Sequence, residues 1–160
     1  MVRLITGSLL YLTAISVQGQ GKSIAFAEIE QFKLFTSCQP IYLIVYPPRL
    51  SGLTEEQVRM VTESRLKASR LHESDISPLS DVGLLRVSVQ VREETRVTVS
   101  KVEFLKPFSD QYTSQYKHLV TWERASYTVD DANLAMQEIS ELMNYFISEY
   151  LRVNKSACEK

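Results

Sequence analysis

The most regular stretch of the chain is Leu85-Arg-Val-Ser-Val-Gln-Val91, where apolar and polar residues alternate without a break. A period of two predicts a strand with Leu85, Val87, Val89 and Val91 towards a core and Arg86, Ser88 and Gln90 away from it. Arg92-Glu-Glu-Thr95 reads as a polar hairpin turn into a partner strand, Arg96 to Leu105. In that strand Val97 and Val99 share one parity, and Val102 and Phe104 the other. A bulge near Ser100-Lys101 is the expected reconciliation, since one extra residue flips the face. Upstream, Ile41-Tyr-Leu-Ile-Val-Tyr46 is β-branched or aromatic throughout and bounded by Pro40 and Pro47-Pro48. Apolar on both faces, it predicts a strand in the centre of the sheet. His118 to Val129 is expected to be the last strand, with Val120 and Trp122 on one face and Trp122 as a core anchor.

Two segments show helical patterning. Thr54, with Gln57 three residues on, forms a capping-box signature, and Leu53 and Val58 occupy staple positions. This helix is expected to run to about Leu71, with Val58, Val61, Leu66, Ala68 and Leu71 as its apolar side. Asp130 or Asp131 is expected to cap a final helix of about 20 residues. Its apolar stripe is Leu134, Ile139, Leu142, Met143, Phe146, Ile147, Tyr150 and Leu151, and Asn154 is its stop signal. The order β-α-β-β-β-α predicts an α+β two-layer sandwich, a mostly antiparallel four-stranded sheet with two helices on one face.

The N-terminus departs from this patterning. Arg3 is followed by a mostly apolar run, Leu4 to Val17, without helical or strand period. A basic start, about 14 apolar residues and then small residues is the layout of a signal peptide. It falls short of the roughly 20 residues of a membrane span. Residues 1–19 are therefore read as a removable leader, cleaved after Val17-Gln18-Gly19; Ala25-Phe26-Ala27 is a second possible site. Residues 20–37 are read as an N-terminal arm, a short helix or extended segment, and 38–160 as the single α+β domain. No transmembrane span is expected in the mature chain, and the location is read as periplasmic or secreted, with the cytoplasm as the alternative.

Export gives Cys38 and Cys158 a meaning. Two cysteines in an oxidising compartment read as a pair. A bridge between them closes nearly the whole domain into one loop, worth at most ~5 kcal/mol by chain-entropy arithmetic.

Composition adds mainly exclusions. The 160 residues carry 18 Lys+Arg against 19 Asp+Glu, a net charge of −1, which disfavours a nucleic-acid partner. Arg86, Arg92, Arg96 and Lys101 give the hairpin's outer face a basic character, but Glu93, Glu94 and Glu103 dilute it. Dinucleotide, P-loop, zincin and nucleophile-elbow motifs do not occur in the sequence. His72-Glu73-Ser74-Asp75 reads as a solvated loop rather than a metal cluster, and nothing in the sequence brings Cys38 to His118 as a thiol nucleophile. No metal, cofactor or catalytic residue is assigned. The recognition candidate is the loop Lys106 to Lys117, of about 12 residues and long for a hairpin. Its Phe108, Asp110, Tyr112 and Tyr116 offer amphipathic contact surface.

The leader, the Ile41 strand, the Arg86-Val-Ser-Val-Gln-Val91 strand, Thr121-Trp122 and the ending Phe146-Ile-Ser-Glu-Tyr-Leu-Arg-Val-Asn154 together resemble small exported bacterial proteins of unknown function. In outline they are similar to accessory domains of cell-envelope lipoproteins and secretion systems. The resemblance implies a non-catalytic binding or assembly role towards a protein or envelope component. A small enzyme with a dispersed site and a cytoplasmic nucleic-acid-binding domain are the competing readings.

Overall fold

The computed structural model describes residues 26–72, 82–110, 112, 113 and 115–159. The leader and residues 73–81 of the loop that begins at His72 lie outside these residues. Seven elements follow in order: α1 (Phe26–Leu34), β1 (Ile41–Val45), α2 (Glu55–Ala68), β2 (Gly83–Arg92), β3 (Val97–Ser109), β4 (Tyr116–Val129) and α3 (Ala132–Cys158). The architecture is α+β, with three helices and a four-stranded mixed sheet in the order β1-β2-β3-β4. β1 runs parallel to β2, and the β2–β3 and β3–β4 pairs are antiparallel.

The alternation in β2 sets the core. Leu85, Val87 and Val89 are each at most 1% exposed, and the ladder aligns them with Leu43 and Val45 on β1 and with Phe104, Val102 and Ser100 on β3. α3 packs on β3 and β4, and α2 on β1 and α3. Ile139, Met143, Phe146 and Tyr150 of α3 join Val58 and Leu66 of α2 in one cluster with this sheet face. Phe146 lies at the centre of an aromatic group, 5.3 Å from the Trp122 ring and 5.5 Å from Phe104. The Trp122 indole N–H donates to Glu149 Oε2 at 2.7 Å, which satisfies the one polar atom that ring buries. Gly83 begins β2 beneath the Phe104 ring, where a Cβ would come within 2.5 Å of a ring carbon.

α2 starts as its sequence dictates: the Thr54 side chain accepts from the Gln57 backbone, and the Gln57 side chain accepts from the Thr54 N–H at 2.8 Å. It stops at Ala68, short of Leu71. Leu71 N–H donates to Leu66 O at 2.9 Å and Arg70 N–H to Lys67 O at 3.0 Å, a Schellman closure with Arg70 at φ 58. Leu71 is still core, 1% exposed, because that closure folds it back onto Leu66.

Several expectations are overturned. β1 is an edge strand, paired with β2 alone. Its second face is apolar because Tyr42 and Ile44 are half-buried, and the flanking prolines suit an edge, where no further ladder bond is required. β3 has no bulge at Ser100-Lys101. Its pairing with β2 is unbroken, so Thr98 and Ser100 face the core and Val97 and Val99 face away. The irregularity lies at Phe104/Leu105, where Thr121 is the extra residue opposite them on β4. That extra residue puts Val120 and Trp122 on different faces: Val120 is 43% exposed, Trp122 9%. α3 is capped by Asp131 and runs for 27 residues, and Leu134 is 42% exposed, with Ala135 buried in its place. Asn154 does not end the helix. It is fully buried inside it.

Candidate binding surfaces

Three places bear on function: the Cys38–Cys158 region, the β3–β4 hairpin tip, and the sheet face turned away from the core. In the first, Cys38 and Cys158 are bonded, with Cα atoms 5.2 Å apart. The cysteine pair is the last rung of a larger fastening. Tyr150, Asn154 and Cys158 follow at intervals of four along one side of α3, and all three grip residues 34–39. Asn154 Oδ1 accepts from Thr36 N at 2.9 Å and from Cys38 N at 3.3 Å, while its Nδ2 donates to Leu34 O at 3.0 Å. Tyr150 Oη donates to Gln39 O at 3.1 Å and also meets the Thr36 hydroxyl. Burial pushes the Tyr150 phenol above its ordinary pKa, against the hydrogen bond from Thr36, which lowers it. Ser37 and Cys38 both take positive φ, 57 and 60, and the Asn154 amide holds that sharp turn in place. With its sulfur in the bond, Cys38 is not a free nucleophile. The clasp escaped the sequence reading; its one signal is a lone amide four residues after Tyr150 in an apolar stripe.

At the hairpin tip the expected loop is shorter than predicted. Strand pairing continues through Phe108 to Ser109 and resumes at Tyr116, so the connection is residues 110–115. Phe108 and Tyr116 thus belong to strands. Asp110 Oδ1 accepts from the N–H groups of Tyr112, at 2.8 Å, and Thr113, at 3.2 Å, which builds the turn and holds the Asp110 carboxyl below its usual pKa. Tyr112 is 99% exposed. Phe108 stacks on Phe32 of α1, ring centroids 6.0 Å apart, and Lys106 Nζ donates to Phe32 O at 2.8 Å. The hairpin is therefore braced by α1 on one side.

The third surface is the outward sheet face. Tyr46, Tyr127 and Val129 are exposed on it, with Val97 and Val99 half-buried between them. Across its middle runs an ion-pair chain: Arg86 Nε to Glu103 Oε2 at 2.7 Å, Lys101 Nζ to Glu103 Oε1 at 2.7 Å, and Lys101 Nζ to Glu123 Oε2 at 2.9 Å. Burial opposes ionisation of Glu103, but the hydrogen bonds from Arg86 and Lys101 prevail and hold its pKa below the ordinary value. The Arg86 guanidinium sits over the Tyr46 ring at 5.9 Å. Tyr46, Arg86, Val99 and Lys101 frame a shallow hollow of about 310 Å³. A larger cleft of about 670 Å³ lies at the β2–β3 turn, lined by exposed charges of both signs including Arg49, Arg92, Glu93, Glu94 and Asp130.

The two histidines stand in separate surroundings, His72 Nδ1 at 3.3 Å from Ile41 O and His118 Nε2 at 3.3 Å from Val82 O. Among the described residues no group of three or more His, Cys, Asp and Glu side chains is arranged to hold a metal, and no helix is long and apolar enough to cross a membrane.

No protein-family model matches the chain, and no curated protein matches it. Among solved structures it is similar to a dodecameric PelC variant from Paraburkholderia phytofirmans, 11% identical, with a TM-score of 0.45 over 69% of this chain and 90% of that one. It is also similar to a minor lipoprotein from Acinetobacter baumannii, 13% identical, with a TM-score of 0.32 over 76% of this chain and 97% of that one.

Proposed function

We propose that the chain is an exported, non-catalytic binding or assembly domain of the bacterial cell envelope, whose protein partner is received by the outward sheet face. The observation that carries the reading is that face itself. Exposed tyrosines and valines lie beside an ion-pair chain whose charges already compensate one another. A partner can bury the Tyr46 and Tyr127 rings there without stranding a charge. The Cys38–Cys158 bond supports an oxidising compartment.

A photo-crosslinking residue placed at Tyr127 or Val99 in cells tests the binding face, with Gln137 on the exposed side of α3 as the control. Specific adducts at the first two positions and none at the third are expected. Adducts at Gln137 alone would refute the assignment. Cell fractionation with thiol alkylation tests the compartment: the envelope fraction should hold the chain with neither cysteine alkylated before reduction.

A further inference from the structure

We infer that the end of the domain formed by α1 and the β3–β4 hairpin rests on an anionic lipid surface. The inference relies on the envelope location proposed above but concerns a different face from the protein-binding one.

The β3–β4 ladder pairs Lys106 with Leu119 and Phe108 with Lys117. Alternation puts all four side chains on the same side of the ribbon, the side braced by α1. Phe32 of α1 completes the group: it stacks on Phe108, and Lys106 Nζ lies 5.6 Å from its ring centre. Phe32 is 59% exposed and Leu119 51%, although both are large and apolar. Lys117 and, at the flank, Lys33 are exposed as well. Three acidic groups lie around it: Asp110, whose carboxylate is turned into its own turn, Glu28 in the first turn of α1, and Glu123, which lines a hollow with Lys33 and pairs with Lys101.

Aromatic and aliphatic side chains interleaved with lysines suit a headgroup region. The rings enter the acyl boundary, and the ammonium groups stay among the phosphates. Each lysine at such a surface contributes through the negative potential of anionic lipids. On the outward sheet face, by contrast, the charges are paired with one another. Among the described residues no ion pair joins Lys33, Lys106 or Lys117 to a carboxylate, and Lys106 donates to a backbone carbonyl.

The test uses the full oxidised chain with phosphatidylcholine vesicles, with and without phosphatidylglycerol. Cosedimentation should require phosphatidylglycerol and weaken as salt is raised. Lys117→Glu should reduce binding at least about fivefold, Phe32→Ser should reduce it too, and Lys67→Glu on α2 should leave it unchanged. In a Leu119→Trp variant the added indole should shift to the blue on binding, which reports insertion at this patch and not through the leader. Equal binding to both vesicle types, insensitivity to Lys117→Glu and Phe32→Ser, or no shift at position 119 would overturn the inference. Crosslinks at Tyr127 in the absence of vesicle binding would leave the protein-binding reading standing and remove only this one.

Discussion

Asn154 donates its side-chain amide to the carbonyl of Leu34, 3.0 Å away and 120 residues earlier in the chain. With its acceptor it holds Thr36 N and Cys38 N, so one buried side chain satisfies three backbone groups of the turn that carries Cys38. Replacing it by Ala leaves those groups buried without partners. Asn154→Ala should lower unfolding stability by about 2–4 kcal/mol, measured by urea denaturation with the slope unchanged.

The disulfide and the clasp hold the same strap, so their effects should not add. Replacing Cys38 and Cys158 by Ser should cost about 3–5 kcal/mol. The cost should differ by more than ~0.5 kcal/mol when measured in the Asn154→Ala background, since the sites share a segment. Strict additivity would show that the two fastenings act independently.

Glu103 has a folded pKa below its unfolded value. Its contribution is therefore present above the unfolded carboxylate pKa and fades as pH falls through the folded one. Glu103→Gln should destabilise the domain at pH 7 by about 1–3 kcal/mol, because it removes the charge shared by Arg86 and Lys101 and turns one of the two acceptor oxygens into a donor. The gap between variant and native protein should begin to narrow below the unfolded carboxylate pKa of about 4.3 and close only below the lower folded one. A pH series of thermal melts reads both limits.

Gly83 has the Phe104 ring where a Cβ would stand. Gly83→Ala should cost about 1–3 kcal/mol by displacing a ring packed against Phe146 and Tyr150. The companion change Phe104→Leu should recover part of that loss in a denaturation series.

Arg70 is exposed and left-handed at the end of α2. Glycine takes this conformation without the Cβ penalty, so Arg70→Gly should stabilise the domain by up to about 1 kcal/mol. The same change at the mid-helix position Arg59 should destabilise it by a similar amount.

Much of the framework was legible because it is encoded locally. The Leu85–Val91 alternation marked a core face, and Thr54 with Gln57 marked where α2 begins. The ends of elements were harder. The stripe of α3 pointed to a helix of about 20 residues, but Asn154 looked like its stop, since an amide in an apolar run reads as punctuation until its partners are known. Polar residues 106–117 looked like a loop, although Phe108 and Lys117 pair within the ladder because α1 braces that ribbon.

By itself the sequence determined the α+β class, the capped start of α2, the identity of the core face of β2 and the candidacy of two cysteines. These depend on neighbours a few residues away, which periodicity records. Only the tertiary structure decided that β1 lies at the edge, that the ladder slips at Thr121 and that Tyr150, Asn154 and Cys158 close on one strap. Each of these is a contact between distant segments. Its energy depends on which groups folding leaves buried and unpaired, and linear spacing holds no record of that.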